Sequence, residues 1–421
     1  MSATLAISGG APAVPAQLGR FRHPDLDLLD LATLVGPEQR DRTISFDGRG
    51  LVAALEEAFG ALTGVPYSIA ANSGTSALYS AFAALGLGPG DDVLVPAYTF
   101  FATAMPLFRL GCRPVLVDCR PDGNIDPAEI ERRRTPATRA VVITHMWGIP
   151  CAMAEIVEVA GRLGLHLVED ASHAHGATYR DRVVGSFGAA GCWSLGAAKI
   201  VTGGQGGMLQ TPDADLAERA RLLGRANDKL RDRAVTNPRY QPYAVSGIGL
   251  NLRIHPMAAA VVLAQLPGLG AQLRQRREIA DRIRDGLAEV AGLELIEPPA
   301  GTQPAWYALP LRYDSAAAGG ITRDEFVAAL VAEGAVEADV PSSTRPLADF
   351  AAFNGSAPTF AQAPARTGEV NAVDFPYARR FQETVIKLPG WYGERGRRAA
   401  DAYLAAIHKV ATHPDEVRSS R

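Results

Sequence analysis

Lys199 lies in a context that favours a chemical role for its amine. It ends the nearly uncharged run CWSLGAAK, residues 192–199, and the glycine-rich run GGQGG follows at residues 203–207. Most lysines are solvated surface groups. Burial lowers the pKa of a lysine, because the charged form loses its water, and leaves a neutral amine that can form a Schiff base with an aldehyde. Lys199 is therefore a candidate nucleophile.

The acid Asp170 lies in the segment VEDASHAHGA, residues 168–177, at the predicted end of a buried strand. A carboxylate in that position is costly unless it has a cationic partner, and a protonated ring nitrogen is a suitable one. We assign this role to Asp170 and expect Glu169 to be a solvated loop acid. His173 is expected over the face of the ring or against a ring oxygen, whereas His175 is expected to be structural.

Two further segments offer groups for an anion and for a flat ring. Small polar residues in NSGTSAL, residues 72–78, begin a predicted helix, and a helix start binds anions through its unpaired N–H groups. Ordinary N-capping is the alternative. Ser194 offers a hydroxyl to the same anion, or bonds only to backbone. Phe100, in PAYTFFAT after a strand, is a candidate for stacking on a ring, with core packing as the alternative.

An amine, an acid for a pyridine nitrogen and donors for a phosphate are the groups that pyridoxal 5′-phosphate (PLP) requires. We therefore predict a PLP enzyme. A nicotinamide-linked enzyme is a rival class, but the glycines at residues 203–207 form no GxGxxG fingerprint after a strand.

Composition bounds the remaining possibilities. The 421 residues suffice for a large structural unit and a smaller one. A net charge of -3 gives no basic excess, so nucleic acid is not an expected partner. There is no basic N-terminal segment followed by an apolar run, and no stretch has the apolar length of a membrane span, so we expect a cytoplasmic protein. The four cysteines form no CxxC pair and suggest neither disulfides nor a metal site.

Short apolar runs alternate with amphipathic stretches from about residue 48 to residue 211, which predicts an α/β fold with a mostly parallel sheet. Ligands of such sheets gather at the carboxyl ends of the strands, so we expect His145, Asp170 and Ser194 to converge. The predicted strands are residues 93–95, 114–118, 140–145, 166–169, 191–195 and 207–210.

A long helical pattern after about Met257 leads into a second predicted unit. There LELIEPP and WYALPLRYD are predicted strands, Thr322 and Glu325 form a capping box, and residues 395–410 form a closing helix. Residues 342–372 are expected to be irregular. The predicted units are an N-terminal segment, a large PLP-binding domain and a smaller C-terminal α+β domain, at residues 1–47, 48–265 and 266–421.

Taken together, the motifs SGTSAL, VEDASHAHGA, SLGAAK with GGQGG, and GLNLR at residues 249–253 resemble those of the DegT/DnrJ/EryC1/StrS family of PLP-dependent aminotransferases, which act on keto-sugars and keto-cyclitols. The resemblance covers nearly the whole chain from residue 48. It implies a PLP-dependent transferase fold of type I, like aspartate aminotransferase, and a homodimer with sites at the subunit interface. Gln205 departs from the Glu usual in the family, which leaves the electrostatics of that loop open.

The resemblance assigns roles to matching positions. Lys199 would be the Schiff-base lysine and proton carrier, Asp170 would pair with the pyridine nitrogen, Phe100 would stack on the ring, and His173 would take the place often held by Gln or His over it. Asn251 resembles the asparagine that reaches the phosphate of the neighbouring subunit's cofactor. The phosphate itself would be held by Gly74, Thr75, Ser76 and Ser194.

The implied reaction is ping-pong transamination through an aldimine of Lys199. The segments SFDGRG, residues 45–50, and HMWGIPC, residues 145–151, resemble the cyclitol and aminoglycoside branch of the family. That branch implies L-glutamine, or else L-glutamate, as amino donor and an inosose-type ketone as acceptor. A nucleotide-linked keto-sugar is the alternative acceptor. Its diphosphate would meet the loop of residues 227–247, unless that basic loop is simply solvated.

Other PLP classes share the same site. An epimerase or cyclase would keep every cofactor contact without transaminating, whereas Lys199 argues against the dehydratase branch, which has His at that position. A PLP-sensing regulator would bring a nucleic-acid-binding unit, and no basic helix-turn-helix segment precedes residue 48.

Overall fold

The computed structural model describes residues 4–18, 20–21, 50–224, 235–354 and 375–419. Helices and strands alternate through residues 50–224, as the alternation of apolar and amphipathic stretches predicts. In chain order they are α1 (Leu51–Thr63), β1 (Tyr67–Ala71), α2 (Gly74–Ala84), β2 (Asp92–Pro96), β3 (Tyr98–Phe100), α3 (Met105–Leu110), β4 (Arg113–Val117), α4 (Pro127–Arg133), β5 (Thr138–Thr144), α5 (Met153–Leu163), β6 (His166–Asp170), β7 (Thr178–Tyr179), β8 (Arg182–Val183), β9 (Ala190–Ser194), β10 (Gly207–Thr211) and α6 (Ala214–Gly224).

Seven of these strands form the central sheet, in the order β1-β10-β9-β6-β5-β2-β4. Strands β9, β6, β5, β2 and β4 pair in parallel, and β10 runs antiparallel to both of its neighbours. The prediction of a mostly parallel sheet is confirmed, and each of the six strands predicted between residues 93 and 210 is present to within two residues at either end. The edge strand β1 was not predicted.

The two faces of the central sheet pack against different apolar clusters, because alternate residues of a strand point to opposite sides. On β5, Ala140 and Val142 belong to one cluster, and Val141 and Ile143 belong to the other. Helices α1 and α5 cover the second cluster, each with its apolar face. The sheet is thus buried on both sides, and its strand ends are where polar groups can meet.

The rest of the chain forms a second, smaller sheet with its own helices. Its strands pair in the order β11-β13-β15, all antiparallel. The predicted capping box is present, with Thr322 and Glu325 bonded reciprocally. The elements are α7 (Pro256–Gln265), α8 (Leu269–Leu287), β11 (Leu293–Leu295), β12 (Thr302–Gln303), β13 (Ala308–Tyr313), α9 (Arg323–Ala332), β14 (Thr344–Pro346), α10 (Pro376–Thr384), β15 (Val385–Pro389), α11 (Gly393–Ala411) and α12 (Pro414–Ser419).

Several contacts join segments that the sequence places in different units. Strand β14 pairs with β3, with Thr344 opposite Phe100, and β12 pairs with β7. The backbone N–H groups of Ala6 and Ala13 donate to Glu333. The division at residues 47 and 265 stays a prediction. Strand β14 forms part of the stretch predicted to be irregular, residues 342–372, and residues 355–372 of that stretch lie outside the described residues.

Within the described part of the chain, the helical run of residues 256–287 is long and apolar enough, by length and composition alone, to cross a membrane. The sequence analysis predicted no such run. The run is only weak support for a membrane span, because core helices of soluble proteins pass the same test. Its second helix, α8, also buries the guanidinium of Arg276, which donates to the carbonyl oxygen of Trp306 at 2.8 Å.

Candidate active site

Three neighbouring strands end together at one edge of the central sheet. β5 ends at Thr144, β6 at Asp170 and β9 at Ser194. Thr144 pairs with Asp170, which pairs in turn with Cys192. Because side chains alternate along a strand, Thr144, Asp170 and Ser194 face the same side of the sheet. This edge holds the candidate site.

Buried hydroxyl groups hold the Asp170 carboxylate in place. Its Oδ2 accepts a hydrogen bond from Thr103 Oγ1 at 2.7 Å, and its Oδ1 accepts one from the Ser172 N–H at 3.1 Å. Thr103 Oγ1 lies 3.1 Å from Thr99 Oγ1 and 3.2 Å from Thr144 Oγ1. The carboxylate is only 5% exposed, so these bonds fix its orientation at the strand end.

The prediction that His145 joins this site is wrong, as is the prediction that Glu169 is solvated. Both side chains are fully buried on the opposite side of the sheet, one residue out of phase with Thr144 and Asp170. His145 Nδ1 accepts from the Cys151 N–H, so Nε2 carries the proton and lies 3.2 Å from Glu169 Oε2. The same carboxylate accepts backbone N–H groups from Gly185, Phe187 and Gly188.

Lys199 lies just beyond β9, and burial lowers the pKa of its amine to about 8. The negative charge of Asp170 acts in the opposite direction and is the smaller effect. Lys199 Nζ lies 4.9 Å from the centre of the Tyr307 ring. The side chain keeps part of its surface accessible, so a reagent in the cleft can reach this amine.

His173 is the middle ring of an aromatic stack beside Lys199. Its ring lies parallel to Tyr307 at 4.1 Å between centres, and Trp147 is 6.0 Å away on a nearly parallel plane. Burial, with the charge of Lys199, lowers the pKa of His173 well below its ordinary value. The ring is therefore neutral, and its buried Nδ1 has no hydrogen-bond partner among the described residues. His175 is fully buried, and burial lowers its pKa to about 3, as suits a structural residue.

The backbone around this stack is strained. Trp147 has φ 57° and Trp306 has φ 48°, both in the left-handed region that bulky residues avoid. A Cβ added at Gly148, which has φ 83°, would lie 2.7 Å from the His173 carbonyl oxygen and 2.9 Å from the Tyr307 nitrogen. Strain of this kind persists only where surrounding contacts over-determine it, and it clusters at functional sites.

The start of α2 lies against Ser194. A Cβ added at Gly74 would be 2.8 Å from Ser194 Cβ, so only glycine allows this approach. Ser73 caps the helix by accepting the Ser76 N–H at 3.1 Å, and the Ser76 hydroxyl donates to Asn72. The predicted capping is thus present. The backbone N–H groups of Gly74 and the exposed Thr75 still open this 11-residue helix beside Ser194.

Phe100 ends β3 and faces the cleft. It lines a cavity of about 120 Å³ together with Lys199, His173, Tyr307 and Trp147. Its ring also packs on Phe101, with 4.2 Å between the ring centres. The structure therefore brings together Phe100, His173 and Lys199, with Asp170, Ser194 and the start of α2 at the same edge of the sheet.

Asn251 lies on the protein surface near the start of α2. Its Oδ1 accepts a hydrogen bond from Arg253, and the neighbouring Leu252 carbonyl accepts the Asn72 N–H at 2.7 Å. Gln205 is also exposed. Of the basic loop predicted to meet a diphosphate, Arg239 is described; its residues Lys229, Arg231 and Arg233 lie outside the described residues, as do residues 45–49 of SFDGRG.

The mostly parallel sheet, with a buried carboxylate and a lysine at its carboxyl edge, matches solved aminotransferase structures, so the fold is that of the type I aminotransferases. The sequence profile of the DegT/DnrJ/EryC1/StrS aminotransferase family matches residues 43–393, and the chain belongs to that family.

Similar proteins cover the chain to different extents. The L-glutamine:scyllo-inosose aminotransferase of Streptomyces griseus is 32% identical over an alignment that covers 99% of this chain and 100% of that protein. The GDP-perosamine synthase of Caulobacter vibrioides is 40% identical over 249 residues, 59% of this chain and 64% of that protein. The crystal structure of DesI with its TDP-sugar product is 28% identical, with a TM-score of 0.75 over 99% of both chains.

Sequence reasoning missed the residues that support the site. Thr103 and Thr144 lie on separate segments, so only the fold brings their hydroxyl groups to Asp170. No role was assigned from the sequence to Tyr307, which lies in the predicted strand WYALPLRYD, and Trp147 was included only within the segment HMWGIPC. Lys387 and Asp339 also line the cavity with Lys199. For Lys387, the sequence offers one signal: lysine is rare in this chain, with only four lysines among its 42 lysine and arginine residues.

Proposed function

We propose that this protein is a PLP-dependent aminotransferase that moves an amino group from L-glutamine or L-glutamate to a keto-cyclitol or keto-sugar. The observation that carries the proposal is the Lys199 amine, with a pKa lowered to about 8, in one cleft with Phe100 and His173 and close enough to Asp170 for its charge to act on that pKa. An ordinary lysine is less than 1% neutral near pH 8, whereas roughly half of an amine with this pKa is neutral.

The residues fit PLP on three counts. His173 has a buried Nδ1 with no hydrogen-bond partner among the described residues, which suits a hydrogen bond to the ring oxygen of the cofactor. Gly74 lets the start of α2 approach Ser194 closely, so the helix N–H groups and the Ser194 hydroxyl could hold a phosphate together. Asp170 has the charge to keep a pyridine nitrogen protonated. When bound, PLP supplies an aldehyde that accepts the amino group and a ring that accepts the electron pair of the broken C–H bond.

Each residue then has a defined task. Lys199 Nζ takes the proton from the amino-bearing carbon of the donor and later returns a proton to the former carbonyl carbon of the acceptor. The donor leaves as its 2-keto acid, and the acceptor leaves as an amine, so the two half-reactions balance. Phe100 would pack against one face of the flat group, and His173, whose own ring stacks on Tyr307, would meet the group through its unpaired Nδ1. The buried wall of Trp147 and Tyr307 excludes water from this step.

An inosose-type acceptor is the favoured candidate, because the S. griseus aminotransferase matches this chain along its whole length. A nucleotide-linked keto-sugar is the second candidate, on the strength of DesI, which aligns over 99% of both chains. An epimerase or cyclase on the same scaffold would bind PLP without consuming a donor.

The proposed function is tested by the visible absorption spectrum of the PLP-loaded protein. L-glutamine and L-glutamate are added separately, and scyllo-inosose or a nucleotide-linked keto-sugar follows. Loss of the visible band with a donor and its recovery with one acceptor are the expected results. A band unchanged by both donors would contradict transamination from them. Lys199→Ala should have no such band, and Asp170→Asn should keep the band but lose most turnover.

The proposed homodimer has support from an exposed apolar cluster beside Asn251. Tyr243, Val245, Ile248 and Leu250 are 46%, 51%, 51% and 48% exposed, a patch that a second copy would cover. Mixing Lys199→Ala with Asn251→Ala tests the shared site. A mixed dimer has one intact site only if Asn251 acts across the interface, so activity that returns on mixing supports sharing. Two inactive variants that stay inactive after subunit exchange would contradict it.

A further inference from the structure

A second lysine opens onto the cavity of Lys199. Lys387 lines it together with Asp339, and Lys387 Nζ lies 2.6 Å from Asp339 Oδ2. The Lys387 side chain is 29% exposed and that of Asp339 is 47% exposed. Among the described lining residues of this cavity, Lys199 and Lys387 are the strongly basic side chains. The proposed chemistry occupies Lys199, so Lys387 is the cation that is left for a substrate.

The choice of lysine at position 387 is unusual for this chain. Only four of its 42 basic residues are lysines, namely Lys199, Lys229, Lys387 and Lys409. Nearly all other basic residues are arginines, including Arg312 of the neighbouring strand β13, which forms an ion pair with Glu294 of β11. An ammonium group is compact, whereas a guanidinium is broad and planar. In a cavity of about 120 Å³, the smaller cation leaves room for a substrate carboxylate.

Backbone pairing holds both members of the ion pair in position. Lys387 is in β15 and pairs with Pro310 of β13. On its other side, the Lys387 N–H donates to the Asp339 carbonyl at 2.8 Å, and the Asp339 N–H donates back at 3.0 Å. The charge of Lys387 also contributes to the lowered pKa of His173. A cation on a paired strand is a precise partner for a ligand, because its backbone does not have to be ordered on binding.

A ping-pong aminotransferase must accept two different substrates in one cleft. The amino donor carries an α-carboxylate, which needs a cation once it leaves water. The favoured acceptor of the proposed function, an inosose, is an uncharged polyol at the same place. A cation left without a partner would then be costly, because an unpaired charge in a confined site loses its hydration. A carboxylate that pairs with the cation whenever the donor is absent meets both needs.

We propose that Lys387 binds the α-carboxylate of the amino donor and that Asp339 is its exchangeable counter-ion. In the donor half-reaction the donor carboxylate displaces Asp339 from the ammonium group. In the acceptor half-reaction the Lys387–Asp339 pair re-forms and presents a neutral wall with hydrogen-bonding groups to the polyol. Lys387 thus determines which substrates the cleft accepts, and it takes no part in bond breaking. This inference rests on the proposed transamination.

The two half-reactions are measured separately on the PLP-loaded enzyme by rapid mixing, from the change in cofactor absorption. A hydrogen bond to a charged group predicts that Lys387→Met raises the apparent Kd of L-glutamine on the order of 10- to 100-fold, while that of the acceptor changes little. Lys387→Arg keeps the charge and is expected to lie between Lys387→Met and wild type. Asp339→Asn removes the competitor, so donor Kd should fall below the wild-type value and acceptor Kd should rise several-fold.

Calorimetric binding of glutaramate gives a readout that does not require turnover. Glutaramate has the carboxylate and amide of glutamine without its amine, so it binds without reacting. Its affinity should fall in Lys387→Met by the same factor as that of L-glutamine. The matched control is Arg312→Met, which removes a cation and an ion pair from the adjacent strand outside the cavity. It should leave both half-reactions unchanged.

The outcomes separate the inference from the function on which it rests. If wild type reacts with a donor and Lys387→Met keeps wild-type donor and glutaramate affinities, the role of Lys387 is refuted while transamination stands. If donor and acceptor affinities fall equally in Lys387→Met, the residue is a general structural support and the inference is also wrong. If wild type reacts with no donor, the proposed function fails, and the inference fails with it.

Discussion

Glu169 and Asp170 are adjacent acids that face opposite sides of the sheet, and only Asp170 faces the candidate site. We expect Glu169→Gln to lower the free energy of unfolding without removing a cofactor contact. Glu169 is fully buried, and its Oε1 accepts the N–H groups of Phe187 and Gly188 at 2.6 Å and 2.8 Å. Its Oε2 accepts from Gly185 and His145. The amide of glutamine can replace one oxygen as acceptor, but not both.

The expected loss in the free energy of unfolding follows from these four hydrogen bonds. A hydrogen bond to a charged acceptor contributes about 1 kcal/mol more than a neutral one, so the two bonds kept at Oε1 lose about 2 kcal/mol together. The new NH₂ group would face two donors at the Oε2 position, and a buried donor without a partner costs about 1 to 3 kcal/mol. Allowing for relaxation of the His145 tautomer, the free energy of unfolding should fall by about 4 kcal/mol.

Urea unfolding of the full chain, with refolding verified, measures this loss. The control is Glu155→Gln, because Glu155 is 62% exposed and its pair with Arg120 spans 3.3 Å. An exposed pair of this kind contributes about 0 to 1 kcal/mol. If Glu169→Gln unfolds within 1 kcal/mol of that control, the buried acceptor role of Glu169 is wrong. Asp170→Asn should show the reverse pattern, with normal stability and lost turnover.

Three further predictions concern the cofactor site. Gly74→Ala places a Cβ against Ser194 and should weaken PLP binding at least 10-fold in a titration, whereas an equal affinity would remove α2 from the phosphate site. Thr103→Val removes the 2.7 Å bond to Asp170 and should lower kcat roughly 10-fold with little change in KM, and an unchanged kcat would contradict the positioning role. Only neutral Lys199 reacts with PLP, so the loading rate of the cofactor-free protein should rise with pH through a midpoint near 8; a midpoint near 10.5 would show an unperturbed lysine.

Sequence patterns predicted those helices and strands whose own residues carry a recognisable apolar pattern. Strand β6 is apolar and ends in an acid, and helix α5 repeats its apolar residues at helical spacing, so both could be recognised without a structure. Edge strand β1 could not, because its pairing with β10 depends on a segment more than 130 residues away. Strand β14 pairs with β3 over a still longer separation.

The residues of the candidate site were also predictable only where a short sequence motif contains them. Lys199 and Asp170 belong to short motifs, so their importance could be predicted. The strand phase of His145 and Glu169 could not, because one residue of shift exchanges the two faces of a sheet. The supporting residues Thr103, Tyr307 and Lys387 come from three distant segments. Their contribution depends on tertiary contacts that no local pattern encodes.

The tryptophans of this chain give it an internal optical probe. All four are buried, at 2% exposed or less, so their emission should be blue-shifted and free of solvent quenching. Trp147 lies on the cavity of Lys199, and Trp306 directly precedes Tyr307. A bound chromophore that absorbs in the near ultraviolet would take excitation energy from both indoles. Cofactor loading and release could then be followed in real time by fluorescence, without a label.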